Sequence, residues 1–158
     1  VDGAKFPKDI IDYARTAQKQ TGCLASVALA QWAQESDYGK DMPPGSNNPF
    51  GIKAASGQPF VLCRTHEEKN GRLIAVISRF RKFPTILDSF IEHGKLLMNP
   101  NGPYRAALAY RQNWAKFVDR MAPIYATDHN YASELRSLIV KNKLFQYDLT
   151  EPKETHTV

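Results

Sequence analysis

Leu24-Ala-Ser-Val-Ala-Leu-Ala-Gln-Trp-Ala-Gln-Glu-Ser-Asp-Tyr-Gly39 is the stretch that decides how this chain is read. Ala25, Ala28, Leu29 and Trp32 recur at the spacing of one helical face, and Glu35 continues it. Gly39 is the expected C-cap, so Glu35 lies in the last turn, where the helix dipole disfavours a second negative charge. Apolar surroundings and an adverse dipole both push a carboxylic acid toward its protonated form. A glutamic acid kept neutral near pH 7 is what a general acid needs to protonate a leaving oxygen. The alternative is a solvent-facing Glu on a frayed helix end.

Before that helix, another is expected from Pro7 to Gly22, with Ile10, Ile11, Ala14 and Ala17 inward. Residues 41–58 are rich in Gly, Pro, Asn and Ser and read as a structured loop containing Phe50-Gly-Ile-Lys53. Residues 60–64 and 73–80 read as strands, with Asn70-Gly71 as the hairpin signal and Glu67 near its tip. Ile86, Leu87, Phe90, Ile91, Leu97 and Met98 then define a helix stopped by the Asn/Pro/Gly run at 99–103. A short helix is expected over 104–111. Trp114, Phe117, Val118 and Met121 form the stripe of a core helix closed by Pro123. Tyr131, Leu135, Leu138 and Ile139 define the last helix, with Asp128 as N-cap. The pattern decays after Lys143. One domain over residues 1–150 is expected, followed by a loosely ordered tail at 151–158.

The 158 residues suffice for one well-buried core, and the apolar (42%) and charged (23%) fractions are those of an ordinary globular chain. No apolar run reaches membrane-spanning length, so no membrane insertion is expected. The first seven residues lack a signal peptide's apolar stretch, which suggests a mature or excised chain or another export route. The net charge of +5 favours anionic surfaces, but the Lys and Arg residues are scattered and no nucleic-acid motif is present. Nucleic acid is therefore not an expected partner. Cys23 and Cys63 permit one disulfide, and reduced thiols are the default reading. The histidines at 66, 93, 129 and 156 lack metal-ligand spacing, so no metal or cofactor is expected.

Glu35-Ser-Asp-Tyr-Gly39 followed by Asn47-Asn-Pro-Phe-Gly-Ile-Lys53 resembles the signature of the family 73 glycoside hydrolases, N-acetylglucosaminidases of bacterial cell-wall peptidoglycan. That family's pattern runs Glu-Ser-x-Trp/Tyr-Gly, then Asn-Asn-Leu-Phe-Gly-Ile-Lys; Pro49 departs from it here. Thr65-His-Glu67 is similar to the family's Thr-x-Glu hairpin, Phe80-Arg-Lys-Phe83 to its Phe-Arg-x-Tyr, and Tyr125-Ala-Thr-Asp-His-Asn-Tyr131 to its Tyr-Ala-Thr-Asp-Pro-x-Tyr. The matches fall in order along most of the chain. The resemblance implies an α+β, mainly α, lysozyme-like domain with a small β-hairpin lobe beside the cleft. It also implies a monomeric, cofactor-independent hydrolase of peptidoglycan glycan strands, cutting GlcNAc-β-1,4-MurNAc in the periplasm, the cell wall or the extracellular space.

Glycoside cleavage needs an acid for the leaving oxygen and stabilisation of an oxocarbenium-like transition state. Glu35 is the candidate acid, and the resemblance assigns Glu67 and Tyr125 to the same catalytic site. Strand alternation sets Glu67 with Thr65 and Cys63 on one face and Glu68 on the other. If the substrate's acetamido oxygen assists, Glu67 orients rather than acts as base, and Tyr125 gains weight. Tyr38, Asn47, Asn48, Phe50 and Lys53 combine the flat apolar surface and polar groups that sugars require, although both asparagines equally suit turns. Tyr131 falls on a packing stripe, with substrate contact implied by the resemblance. Trp32 and Trp114 read as core, and Arg81 as a brace or an exposed arginine. Competing readings are a muramidase or lytic transglycosylase, since goose-type lysozymes share the helix ending, and a non-catalytic wall-binding domain. Flagellar, autolytic, phage and effector contexts, with an immunity protein or a larger parent protein, all stay open.

Overall fold

Every residue of the quoted stretch from 25 to 33 is buried. In the computed structural model, which describes residues 5–150, this stretch is helix α2 (Ala25–Ser36), running through the middle of a helical body. The expected single apolar stripe is thus corrected: α2 is sealed on all sides, and its alanines are the small side chains that let several neighbours approach at once. Those neighbours are α1 (Lys8–Thr21), α3 (Ile86–Leu97), α4 (Trp114–Tyr125) and α5 (Tyr131–Lys141). Two 3-10 turns, Arg105–Tyr110 and Leu144–Tyr147, complete the body. Phe90, Phe117, Leu97, Leu135 and Ile139 are fully enclosed in the core beside α2.

Both ends of α2 differ from expectation. The left-handed C-cap is Asp37 (φ 46°), two residues before Gly39, and Tyr38 (φ 58°) and Gly39 (φ 83°) continue the reversal. Ser36 stabilises it by donating its hydroxyl to the Trp32 carbonyl (2.6 Å) and accepting the Gly39 N–H (2.8 Å). A side chain at residue 39 would crowd the Trp32 ring as well as strain the backbone, so glycine is required there. At the other end, the Asp148 carboxylate accepts from both the N–H and the hydroxyl of Ser26 at 2.7 Å. Gln18 ties Leu149 to the start of the helix through three amide hydrogen bonds. The segment beyond Lys143 is therefore part of the core, with Leu144 wholly buried. Long-range polar bonds place it there, and hydrophobic periodicity does not register them. The tail at 151–158 lies outside the described residues.

Pro123 does not close α4: it sits inside the last turn, and the helix continues to Tyr125. Asp128 does not cap α5 either. Its carboxylate accepts the Asn130 N–H (2.9 Å), shaping the turn before the helix, and Asn130 takes the cap position. α3 begins with a reciprocal capping box between Thr85 and Asp88.

Strands β1 (Phe60–Lys69) and β2 (Arg72–Arg81) form one antiparallel hairpin, pairing from Phe60↔Arg81 to Lys69↔Arg72. They extend to a two-residue turn in which Asn70 (φ 53°) and Gly71 (φ 75°) are both left-handed, longer than the strands expected from sequence. At its base Phe80 is buried, and Arg81 reaches Glu92 of α3 (3.2 Å) while lying over the Phe83 ring. Beyond the base the hairpin stands away from the body, leaving Leu62, Leu73 and Ile77 about two-thirds exposed. No described helix is long and apolar enough to cross a membrane.

Candidate active site

Glu35 emerges where α2 leaves the core. Gln34 and Glu35 are the first residues of the helix to reach solvent, yet one side of the Glu35 carboxyl is walled by protein. Tyr131 donates its hydroxyl to Oε1 of Glu35 at 2.8 Å. Burial raises the Glu35 pKa above the ordinary carboxylate range, opposed by the Tyr131 hydrogen bond. The raised pKa expected from sequence is thus present. Its cause is desolvation at the mouth of the core, with a tyrosine close by that no helical pattern of α2 indicates.

Tyr131 is itself a core residue, with only its hydroxyl directed at the acid. The Tyr125 ring lies flat against it, 5.6 Å between centroids and 2° between planes, and Tyr104 follows at 6.0 Å from Tyr125. Desolvation raises the phenol pKa of both Tyr125 and Tyr131, and the Glu35 charge raises them further. Both stay protonated donors at any working pH. A two-oxygen Arg136–Asp119 ion pair ties α5 to α4 and so helps hold the two rings together.

Glu35 opens into a cleft of about 540 Å³. One wall is the loop Asp41–Pro44, the floor includes Asn48, Pro49 and Gly51, and β1 supplies Cys63 to His66 opposite. Cys63 and Thr65 face this cleft, and Glu67 shares their strand face but lies one residue beyond the last β1 residue lining the cavity. The structure therefore brings Glu35, Tyr125 and Tyr131 together and leaves Glu67 outside the cavity. Asp41 is the second carboxylate that lines it. A larger hollow of about 660 Å³ lies between α1 and residues 141–147. There Asp12 shares the walls with Lys8, Arg15, Lys141 and Lys143, a surface suited to ion pairing rather than to acid catalysis.

The expected sugar-binding set needs correction. Phe50 is buried in the core, stacked on His93 at 4.2 Å and edge-on to Phe90 at 4.9 Å, so it offers no face to a ligand. Asn48 is fully buried. It donates to the carbonyls of Ile52 (2.8 Å) and Arg81 (2.9 Å) and accepts from Ile52 N–H (3.1 Å), which makes it the pin of the loop. Asn47 is left-handed (φ 52°) and donates to the carbonyls of Phe83 and Pro84. Turn chemistry explains both asparagines. Tyr38 packs against Phe6 and Trp32 beneath the Lys5 ammonium rather than lining the cleft. Exposed Lys53 lies over the Phe80 ring and pairs with Phe80 through its backbone. Cys23 is buried in the core, and both cysteines are free thiols. No group of three His, Cys, Asp or Glu side chains among the described residues is arranged to hold a metal.

Residues 11–144 match the profile of the Glucosaminidase family, described as mannosyl-glycoprotein endo-beta-N-acetylglucosaminidase. The chain belongs to this family. The glucosaminidase domain is 26% identical to the exo-glucosaminidase LytG of Bacillus subtilis over 152 residues, 93% of this chain and 54% of the relative. It is 30% identical to a probable N-acetylmuramidase of Lactococcus lactis, over 90% of this chain and 34% of that protein. The catalytic domain of the autolysin Auto from Listeria monocytogenes superposes with a TM-score of 0.77 at 31% identity, covering 89% of this chain and 84% of that one. The expected mainly helical fold with a hairpin lobe is the fold of these glycoside hydrolase domains. The chain spans about a fifth to a half of the first curated relatives it matches.

Sequence reasoning passed over Gln31, His93, Asp41 and Asp148. Gln31 lies inside the quoted helix without a motif of its own, His93 counts only as a histidine without metal-ligand spacing, and Asp41 falls in the loop at 41–58. A buried glutamine four residues before Glu35, on the same face of α2, was the available signal.

Proposed function

We propose that this domain hydrolyses the glycan strands of peptidoglycan, with Glu35 as the general acid. The observation that carries the reading is a desolvated carboxyl, hydrogen-bonded by Tyr131, opening into a cleft wide enough for sugar rings. Protonated Glu35 gives its proton to the glycosidic oxygen as the C–O bond breaks, and the sugar left behind takes on oxocarbenium character. Water adds at the anomeric carbon and its proton is lost to a base. The family resemblance supports Glu67 for that role, delivered when the hairpin bends toward bound substrate. The position of Asp41 supports an alternative within the cleft. The Tyr125 phenol, protonated beside Glu35, is suited to hold an acetamido oxygen or the water.

The bond we propose is GlcNAc-β-1,4-MurNAc, in keeping with the family description and with LytG. The Lactococcus relative carries the name of the other linkage, so muramidase activity is the competing reading. Work on peptidoglycan requires a periplasmic, cell-wall or extracellular location. Digestion of purified peptidoglycan, borohydride reduction and mass spectrometry of the new ends test the proposal. Reduced GlcNAc ends are expected. Reduced MurNAc ends overturn the linkage, and 1,6-anhydro-MurNAc overturns hydrolysis by water. No new ends, with wall binding retained, overturns catalysis itself.

A further inference from the structure

Behind Glu35 a line of hydrogen bonds runs back through the core. His93 Nε2 lies 2.8 Å from Oε1 of Gln31, Gln31 Nε2 lies 3.0 Å from the Tyr131 hydroxyl, and that hydroxyl lies 2.8 Å from Glu35 Oε1. Gln31 and His93 are buried, drawn from α2 and α3, and the side-chain partners of the Gln31 amide are Tyr131, His93 and the Met121 sulfur.

The direction of each bond follows from what the groups can do. With the Gln31 amide nitrogen toward Tyr131, the tyrosine oxygen accepts there and its single proton is free for Glu35. Two contacts fix that orientation. The thioether of Met121, an acceptor, lies 3.8 Å from the same amide nitrogen. His93 Nδ1 is buried with no partner, so it carries a lone pair and Nε2 bears the hydrogen given to Gln31 Oε1. The flipped amide would instead strand an N–H at Nδ1, the rarer and costlier orphan. Burial holds the His93 pKa down to about 3, so the ring stays neutral and the line does not reverse at working pH.

We propose that Gln31 is a positioning residue for the acid: by donating to Tyr131 it commits the tyrosine proton to one oxygen of Glu35 and leaves the other oxygen to carry the transferable proton. The proposal rests on Glu35 being the acid. Without Gln31 the Tyr131 hydroxyl turns freely, and protonated Glu35 donates to the tyrosine oxygen instead of to the substrate. The donation from Gln31 also polarises the Tyr131 O–H and strengthens its bond to the carboxylate. Its loss therefore moves the alkaline limb of the rate profile to higher pH. The other groups around Glu35 are Tyr125 from α4, Asp41 from the following loop, and Cys63, Arg64 and His66 from β1. Glu134 of α5 is bonded to neighbouring Gln34. None of them touches Gln31 or His93 through a hydrogen bond.

The test is a cycle of wild type, Gln31→Met, Tyr131→Phe and the double variant, with kcat, KM and the pH profile measured on soluble peptidoglycan glycan fragments. Gln31→Met is expected to lower kcat roughly tenfold, the worth of about one hydrogen bond, with KM nearly unchanged and the alkaline limb shifted upward. In the Tyr131→Phe background the same change is expected to do nothing further, because Gln31 acts only through that hydroxyl. An unchanged kcat and limb in Gln31→Met, or an equal loss in both backgrounds, overturns the proposal in favour of simple core packing. If Gln31→Met does not fold, His93→Phe replaces it, since it keeps the stack on Phe50 but frees the Gln31 amide to flip. A few-fold fall in kcat that requires the Tyr131 hydroxyl is then expected, and a fall independent of that hydroxyl overturns the proposal. Glu35→Gln run alongside separates the two failures: if it stays active, the acid assignment falls; if it is dead while the cycle is additive, only the Gln31 role falls.

Discussion

Leu29 and Leu62 are the same side chain in two regimes: the first is wholly enclosed in α2, the second is about two-thirds exposed on β1. The contrast runs through the molecule. The helical body seals Phe90, Phe117, Leu135 and Ile139 around the helix that carries Glu35, while the hairpin leaves Leu62, Leu73 and Ile77 in water. A two-stranded ribbon is marginally stable by itself, so everything beyond the buried base at Phe80 is held chiefly by its own ladder and turn. One wall of the cleft is thus fixed by packing and the other by a lever. The difference assigns fixed geometry to the acid and adjustable geometry to whatever the hairpin contributes.

The largest effect expected on this division is at Glu35. Glu35→Gln keeps an acceptor for Tyr131 and should fold, while its clearing of purified peptidoglycan falls by about a hundredfold or more. Near-normal clearing would remove the acid from the rigid wall. The sign on stability is opposite. Because the fold raises the Glu35 pKa, wild type loses stability as pH rises through that folded value. The variant should therefore melt higher than wild type at neutral pH, and the two should converge below about pH 4, where Glu is protonated in both folded and unfolded chains.

Core truncation sharpens the same contrast. Leu144→Ala should cost about 2–5 kcal/mol in urea unfolding, and Ile77→Thr on the hairpin should stay within about 0.5 kcal/mol. Equal losses would mean that the hairpin is packed in solution. His93 supplies a pH signature of the body alone. Held neutral down to about pH 3 in the fold, it binds a proton only in the unfolded chain between there and about pH 6.5. Stability should fall with acidification across that window by about 1.4 kcal/mol per pH unit from this group, and His93→Phe should flatten the slope. An unchanged slope would contradict burial of a neutral ring. The smallest expected effects test the lever. Glu67→Gln should slow turnover only several-fold, less than the usual loss of about a hundredfold or more for a general base because Glu67 lies outside the cleft, whereas Glu68→Gln on the opposite strand face should not. A larger loss in Asp41→Asn than in Glu67→Gln would move the second carboxylate from the hairpin to the loop.

Elements with a period or a turn chemistry of their own were legible in the sequence. The α1 stripe, the Asn70-Gly71 reversal and the position of Glu35 all follow from neighbours within a few residues. Bonds across long separations were not. Nothing near Asp148 announces that it serves Ser26, and nothing near Asn48 announces that its amide is consumed by Ile52 and Arg81. Phe50 misled for the same reason, since an aromatic in a polar loop looks like a sugar platform until His93 is seen stacked against it. Tyr131 was legible as a core residue from its stripe, but its hydroxyl on Glu35 joins elements 96 residues apart.

The Asp148–Ser26 clasp also sets an order of events at birth. Asp148, whose carboxylate closes the start of the Glu35 helix, is translated 122 residues after its partner Ser26. At about 5–20 residues per second, that is a wait of roughly ten seconds. Through that interval the helix lacks the clasp at its first turn, and the acid is not yet held as it is in the finished fold. A chain cut short before Asp148 would carry the entire Glu35 signature and still lack the clasp.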